Sequence, residues 1–206
     1  MPSSSAASRL FDKTTDWFER AHAALLGELP CRQGCHRCCI GLFPVTLLDQ
    51  QVIQQGLRSL TDERRQAITQ KASHQADVIS AAAPRLTESP FIDDWSDQDV
   101  DTLVEQYRDL PCPALQSDGS CGIYAFRPLT CRSMGIPSNV DETVQGACEI
   151  QTSVPLVRLS RSLRQEEDLL AKAEAEELAR LRRQSGDKGE ELFLPYAFLS
   201  HGHTAT

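Results

Sequence analysis

The chain has 206 residues, 40% of them apolar and 24% charged, with a net charge of −8. That is enough for one domain with its own core and an appended helix. The acidic balance argues against nucleic acid as the main partner, because phosphate binding asks for a basic face. No run approaches the roughly 18 apolar residues of a membrane span.

In chain order, the opening MPSSSAASRLFDKTTDW lacks the apolar stretch of a secretory signal, so a cytoplasmic, reducing compartment is expected. Residues 1–9 are Ser/Ala-rich and expected to be disordered. A helix is predicted over 14–29, with Trp17, Ala21, Ala24 and Leu25 on one face and Pro30 closing it. After a first cysteine string, FPVTLLDQQVIQQGL predicts an apolar turn and a helix ending near Gly56. Thr61 is placed to cap a long helix that reaches Ala83, just before Pro84.

Residues 84–97 are turn-rich and predict a connector, and 98–110 is again helical. Over 111–155 Gly, Pro and Cys punctuate segments too short for long helices. A strong helix follows over 156–183. Leu156, Leu159, Leu163, Leu170 and Leu181 keep a rough helical period there, opposite a face of Glu and Arg. QSGDKGE is a turn, and ELFLPYAFL is apolar enough to dock on the body. The chain thus divides into a disordered N-terminus (1–9), a cysteine-cluster metal-binding domain (10–155), and a C-terminal helix with a docking tail (156–206). The expected fold is mainly α, a helical body around an irregular, loop-rich cysteine centre.

Eight cysteines fall in two clusters. Cys31, Cys35, Cys38 and Cys39 lie in CRQGCHRCC; Cys112, Cys121, Cys131 and Cys148 follow in LPCPAL, DGSCGIYAFRPLTCRSMG and GACEI. In a reducing compartment they are metal ligands or catalytic thiols rather than a disulfide framework. Thiolates are soft donors and select zinc or iron–sulfur chemistry over magnesium or calcium.

Cysteines two or three residues apart can turn both sulfurs onto one ion. Cys38 and Cys39 are adjacent, so their side chains diverge, and one of them faces a second metal or the core. The longer spacings of the second cluster suit loops that converge on a composite site also fed by the first. Cys35, Cys38, Cys121 and Cys131 are the principal ligand candidates. The IYAFRP loop between the last two is poor in apolar content, so ligation is expected to order it.

Arg32, Arg37, Arg127 and Arg132 flank the cysteines and would offset the negative charge of a thiolate centre, or else pair with surface acids. His36 is a further ligand candidate, set against a solvent-facing loop histidine. His22 and His74 read as surface residues. Tyr124 and Phe126 are expected to pack the loop onto the body. The acids Asp93, Asp94, Asp97, Asp99 and Asp101 fit a helix start better than a calcium loop.

The string from Cys31 to Cys39, followed by CPAL, CGIY, FRP, TCR and a last cysteine, resembles the YkgJ-like cysteine cluster family, the CxxCxxCC group of zinc- or iron-chelating proteins. The resemblance runs in blocks from Cys31 to Cys148. It implies metal-ligand roles for Cys31, Cys35, Cys38, Cys39, Cys112, Cys121, Cys131 and Cys148, with Tyr124, Arg127, Pro128 and Arg132 on the motif positions between them. The first spacing here is one residue longer than the family's name implies.

Some relatives of that family are flagellin lysine methylases. The resemblance therefore leaves an enzyme, such as a protein lysine methyltransferase, beside a metal-binding protein. The residues themselves also leave a metal-free thiol redox switch. No dinucleotide turn, P-loop, HExxH or GxSxG is present in the sequence. Cys31, Cys35 and Cys38 match a radical-enzyme spacing formally, but the βα repeats that would go with it are missing. The expected cofactor is an iron–sulfur cluster or zinc. Scattered thiolates favour the cluster, whereas eight thiols could equally close two four-cysteine zinc sites. A protein partner is not legible.

Overall fold

Helices carry most of the chain in a computed structural model, which describes residues 6–25, 35–136, 138–140, 143–145, 159–185 and 189–199. The elements are α1 (Ala6–Ala24), β1 (Pro44–Thr46), α2 (Leu47–Arg58), α3 (Asp62–Ala82), α4 (Arg85–Glu88), α5 (Asp97–Gln106), α6 (Leu129–Ser133), β2 (Ser138–Val140), β3 (Thr143–Gln145), α7 (Arg161–Ser185), β4 (Glu191–Phe193) and α8 (Leu194–Ala197). Single 3-10 turns occupy Arg37–Cys39 and Tyr124–Phe126. The fold is mainly α. Two units emerge, each from two stretches of chain: Met1–Cys38 with Leu129–Arg180, and Cys39–Pro128 with Leu181–Thr206.

In the first unit, α1 starts well ahead of residue 14. Its apolar stripe begins early: Leu10, Phe11, Thr14, Trp17 and Ala21 are all buried at helical spacing. Leu25 continues the stripe, whereas Ala24, predicted on the same face, is exposed. Trp17, Ala21 and Leu25 pack with Ile136 and Leu159. The Trp17 indole N–H donates to the Leu163 carbonyl of α7 at 2.9 Å, which satisfies the one polar atom of a buried ring. β2 and β3 form a small antiparallel pair, with Asn139 opposite Val144.

The second unit is organised around its own C-terminal segment. β4 pairs antiparallel with β1, placing Val45 opposite Leu192. This lays Leu192, Phe193, Leu194, Tyr196, Ala197 and Phe198 into a core shared with Ile53 and Leu57 of α2 and with Ala72, Ala76 and Ile79 of α3. Main-chain and side-chain bonds lock the docking: Leu194 N–H to Phe43 O at 3.0 Å, and Gln54 Nε2 to Ala197 O at 2.8 Å. The Tyr196 hydroxyl donates to Ala76 O at 3.1 Å and shares a hydrogen with Ser80 at 2.7 Å.

Thr46 caps α2 in a capping box, and the fully buried Asp49 carboxylate returns bonds to the Thr46 N–H and hydroxyl. Thr61 sits at the N-cap of α3 as predicted, without a side-chain bond there. The connector over 84–97 holds the short α4, where Arg85 lies over the Trp95 ring at 4.8 Å. Asp97 and Asp99 begin α5 behind the Ser96 cap. Asp93 does something different from a helix start: its carboxylate accepts the Glu190 and Glu191 N–H groups, at 2.7 and 3.2 Å, and so anchors the entry to β4.

Candidate metal centre

Cys39 closes the turn Arg37–Cys39, and the next residue, Ile40, bridges antiparallel to Pro111. The Cys112 N–H donates to the Cys39 carbonyl at 2.7 Å, and the Gly41 N–H donates to Leu110 O at 2.7 Å. The main chain thereby sets the last cysteine of the first cluster beside the first cysteine of the second.

Beyond Cys112 the chain folds back on itself. Leu115 bridges Cys121, Gln116 N–H donates to Ser120 O at 2.9 Å, and Gly122 N–H donates to Ala114 O at 2.8 Å. The predicted turn is there: Gly119 takes φ +81°, a conformation that favours glycine. Asp118 accepts the Ser120 N–H and hydroxyl at 2.9 and 2.6 Å, and these bonds hold its carboxyl below the usual carboxylate range.

Phe126 packs the IYAFRP loop onto the body as expected, and Ile123 adds an anchor that was not foreseen. Ile123 is buried, and Phe126 rests on α2 at Gly56, where an added Cβ would lie only 2.7 Å from the Phe126 Cβ. Apolar anchoring and backbone bonds thus hold this loop where its sequence alone offered few anchors. Tyr124 is not one of the anchors. It is 63% exposed, and the Arg127 guanidinium lies 3.7 Å over its ring while Arg127 Nε donates to Tyr124 O.

In the first unit Cys131 rides on α6, which packs on α1. Its neighbour Arg132 is buried, donates to the Thr15 hydroxyl and lies 5.4 Å over Phe11. Of the four arginines expected near sulfur, Arg127 and Arg132 lie over aromatic rings, Arg37 is exposed, and Arg32 lies outside the described residues. Cys35 and Cys38 belong to the same unit as Cys131. His36 and His74 are exposed; His22 is half-buried and stacks on Phe18. Cys31 and Cys148 lie outside the described residues.

Cys35, Cys38, Cys39, Cys112, Cys121 and Cys131 are half-buried thiols. Soft, partly shielded sulfur is the donor chemistry that zinc and iron take. Among the described residues, however, no three Cys, His, Asp or Glu side chains are gathered as a ligand set. The second unit holds Cys39, Cys112 and Cys121, drawn from both clusters.

A family model named CxxCxxCC, "Putative zinc- or iron-chelating domain", matches residues 30–149, more than half of the chain. The chain belongs to the CxxCxxCC family. No curated protein and no solved structure matches it. The matched span encloses both cysteine clusters together with α2, α3 and α5, so the helices that carry the cysteine loops are part of the CxxCxxCC domain. No described helix is long and apolar enough to cross a membrane.

Two residues build this region in ways the sequence pattern does not give: Gly56, expected only as a helix end, and Gln75. Gly56 gives Phe126 its seat. Gln75 sends its side-chain N–H to Pro111 O at 2.8 Å. A signal for Gln75 was present: it is a polar residue on the stripe Ile68, Ala72, Ala76, Ile79, all of them buried.

Proposed function

We propose that the chain is a metal-binding protein in which thiolates from both cysteine clusters hold zinc or an iron–sulfur cluster, with iron–sulfur the favoured occupant of at least one site. Membership in a zinc- or iron-chelating family supports the class of chemistry. The observation that carries the composite character is the 2.7 Å main-chain bond from Cys112 to Cys39, which ties one cluster to the other inside one unit. In this reading Cys39, Cys112 and Cys121 contribute from the second unit, and Cys31, Cys35, Cys38, Cys131 and Cys148 remain ligand candidates from the family pattern.

Metal loading is expected to release thiol protons, so binding should weaken as pH falls. Anaerobic purification followed by metal analysis and visible absorbance tests the proposal. Stoichiometric iron with cluster absorbance supports the favoured occupant, whereas colourless protein with stoichiometric zinc removes iron–sulfur and keeps metal binding. Protein that retains neither metal, and takes up neither when reduced, overturns the proposal.

A further inference from the structure

Among the described residues, the Gln75 amide oxygen is a buried side-chain atom with no hydrogen-bond partner. A buried polar atom left in that state costs free energy, and an apolar residue of similar size would avoid it. The other half of the amide explains why a glutamine stands there. Its Nε2 reaches from α3 to the Pro111 carbonyl at 2.8 Å, and the residue as a whole is only 9% exposed.

Pro111 has no N–H, so its carbonyl is the one backbone polar group by which that residue can be braced. The two groups that follow are also engaged: the Cys112 N–H on Cys39 O at 2.7 Å, and the Cys112 carbonyl on Leu115 N–H at 3.0 Å. Turning the amide over would set carbonyl against carbonyl. The orientation is therefore fixed, and the unpaired oxygen is its consequence.

We propose that Gln75 is a positioning residue for Cys112, fixing the main chain on which that thiol is presented to metal. The proposal rests on the thiolate–metal reading above. Leucine cannot donate, and an ionised glutamate would repel the Pro111 oxygen, so an amide of this length fits the place.

The test uses the full chain, reduced and metal-free, as wild type, Gln75→Leu and Gln75→Glu. Iodoacetamide labelling of Cys112 relative to Cys121 is read by mass spectrometry, and Zn²⁺ affinity by competition with a chromophoric chelator. In Gln75→Leu one unpaired oxygen, that of Pro111, replaces another, so the urea midpoint should barely move. The Cys112-to-Cys121 labelling ratio should nevertheless change several-fold, and Zn²⁺ affinity should fall by about 10–100-fold, as for other residues that orient a ligand.

Gln75→Glu should lose at least as much affinity. An unchanged labelling ratio with wild-type Zn²⁺ affinity in Gln75→Leu overturns the proposal. If wild type takes up no metal while the labelling ratio still shifts, the metal reading falls and the brace on Cys112 stands. Should Gln75→Leu fail to fold, Gln75→Met provides the same labelling comparison.

Discussion

The two units hold their cysteines by different means. In the second, Cys39, Cys112 and Cys121 sit on backbone knitted by main-chain hydrogen bonds and backed by a core that includes the C-terminal residues. In the first, Cys131 sits on α6, a helix of five residues. A helix that short has no stability of its own, so it depends on the side chains that fasten it to α1, chiefly Leu129 and the Arg132 contacts to Thr15 and Phe11. A thiol presented by a main-chain net should tolerate side-chain losses around it. One presented by a fastened helix should not.

The largest expected effect comes from the core behind the net. Phe193 is fully buried, opposite Pro44 of β1 and edge-on to Trp95, so Phe193→Ala should cost about 3–5 kcal/mol. Urea unfolding measures it, and a cost near zero would mean that the C-terminal segment is not part of the frame. Next comes Arg132→Ala, expected to cost about 2 kcal/mol through the loss of charged hydrogen bonding and aromatic contact. It should raise the alkylation rate of Cys131 and leave that of Cys121 alone; equal acceleration of both would erase the distinction between the two regions.

Cys112→Ser and Cys121→Ser should each cost less than about 1 kcal/mol in metal-free protein, because the backbone net survives the change. Metal content should fall in both. If limited proteolysis cuts the metal-free wild-type chain within 111–127, the loop is ordered by ligation after all and the contrast is lost.

The helices were legible because their signals are local. The Thr61 cap, Pro84 and the leucine period of α7 each act within a turn or two, and the structure keeps them. The hairpin turn at Asp118 and Gly119 was legible for the same reason. What could not be read is what depends on distant partners. IYAFRP looks poor in apolar anchors only until Gly56, some seventy residues earlier, is known to open a seat for Phe126. Pairing of β1 with β4 joins Val45 to Leu192, and no local pattern announces it. The cysteine spacing announced thiolate chemistry; that Cys39 and Cys112 share a main-chain bond is a fact of the fold.

The smallest effects divide the units by acid response. Glu177, in the first unit, is buried against Arg180 and also accepts the Ala7 N–H, so its carboxyl is held below the usual range. Its stabilising contribution is present above the ordinary glutamate value of about 4.3 and is lost as pH falls through the lowered one. Glu191, on β4, is exposed, yet its carboxyl is pushed up by partial desolvation and by the neighbouring Asp93 and Glu190 carboxylates. Its contribution has the opposite sign: fully present below the ordinary value, and lost as pH rises through the raised one.

At neutral pH Glu191 is therefore ionised at a small cost. Acidification from neutral should relieve Glu191 first and weaken Glu177 afterwards. Urea midpoints followed from pH 7 to pH 3 test this. Glu191→Gln should raise stability slightly at pH 7 and remove the gain seen on mild acidification, while Glu177→Gln should lower it at pH 7 and flatten the loss below about pH 4. Parallel curves for wild type and both variants would show that neither carboxyl differs from its unfolded behaviour, and the two units would then not be distinguishable by acid.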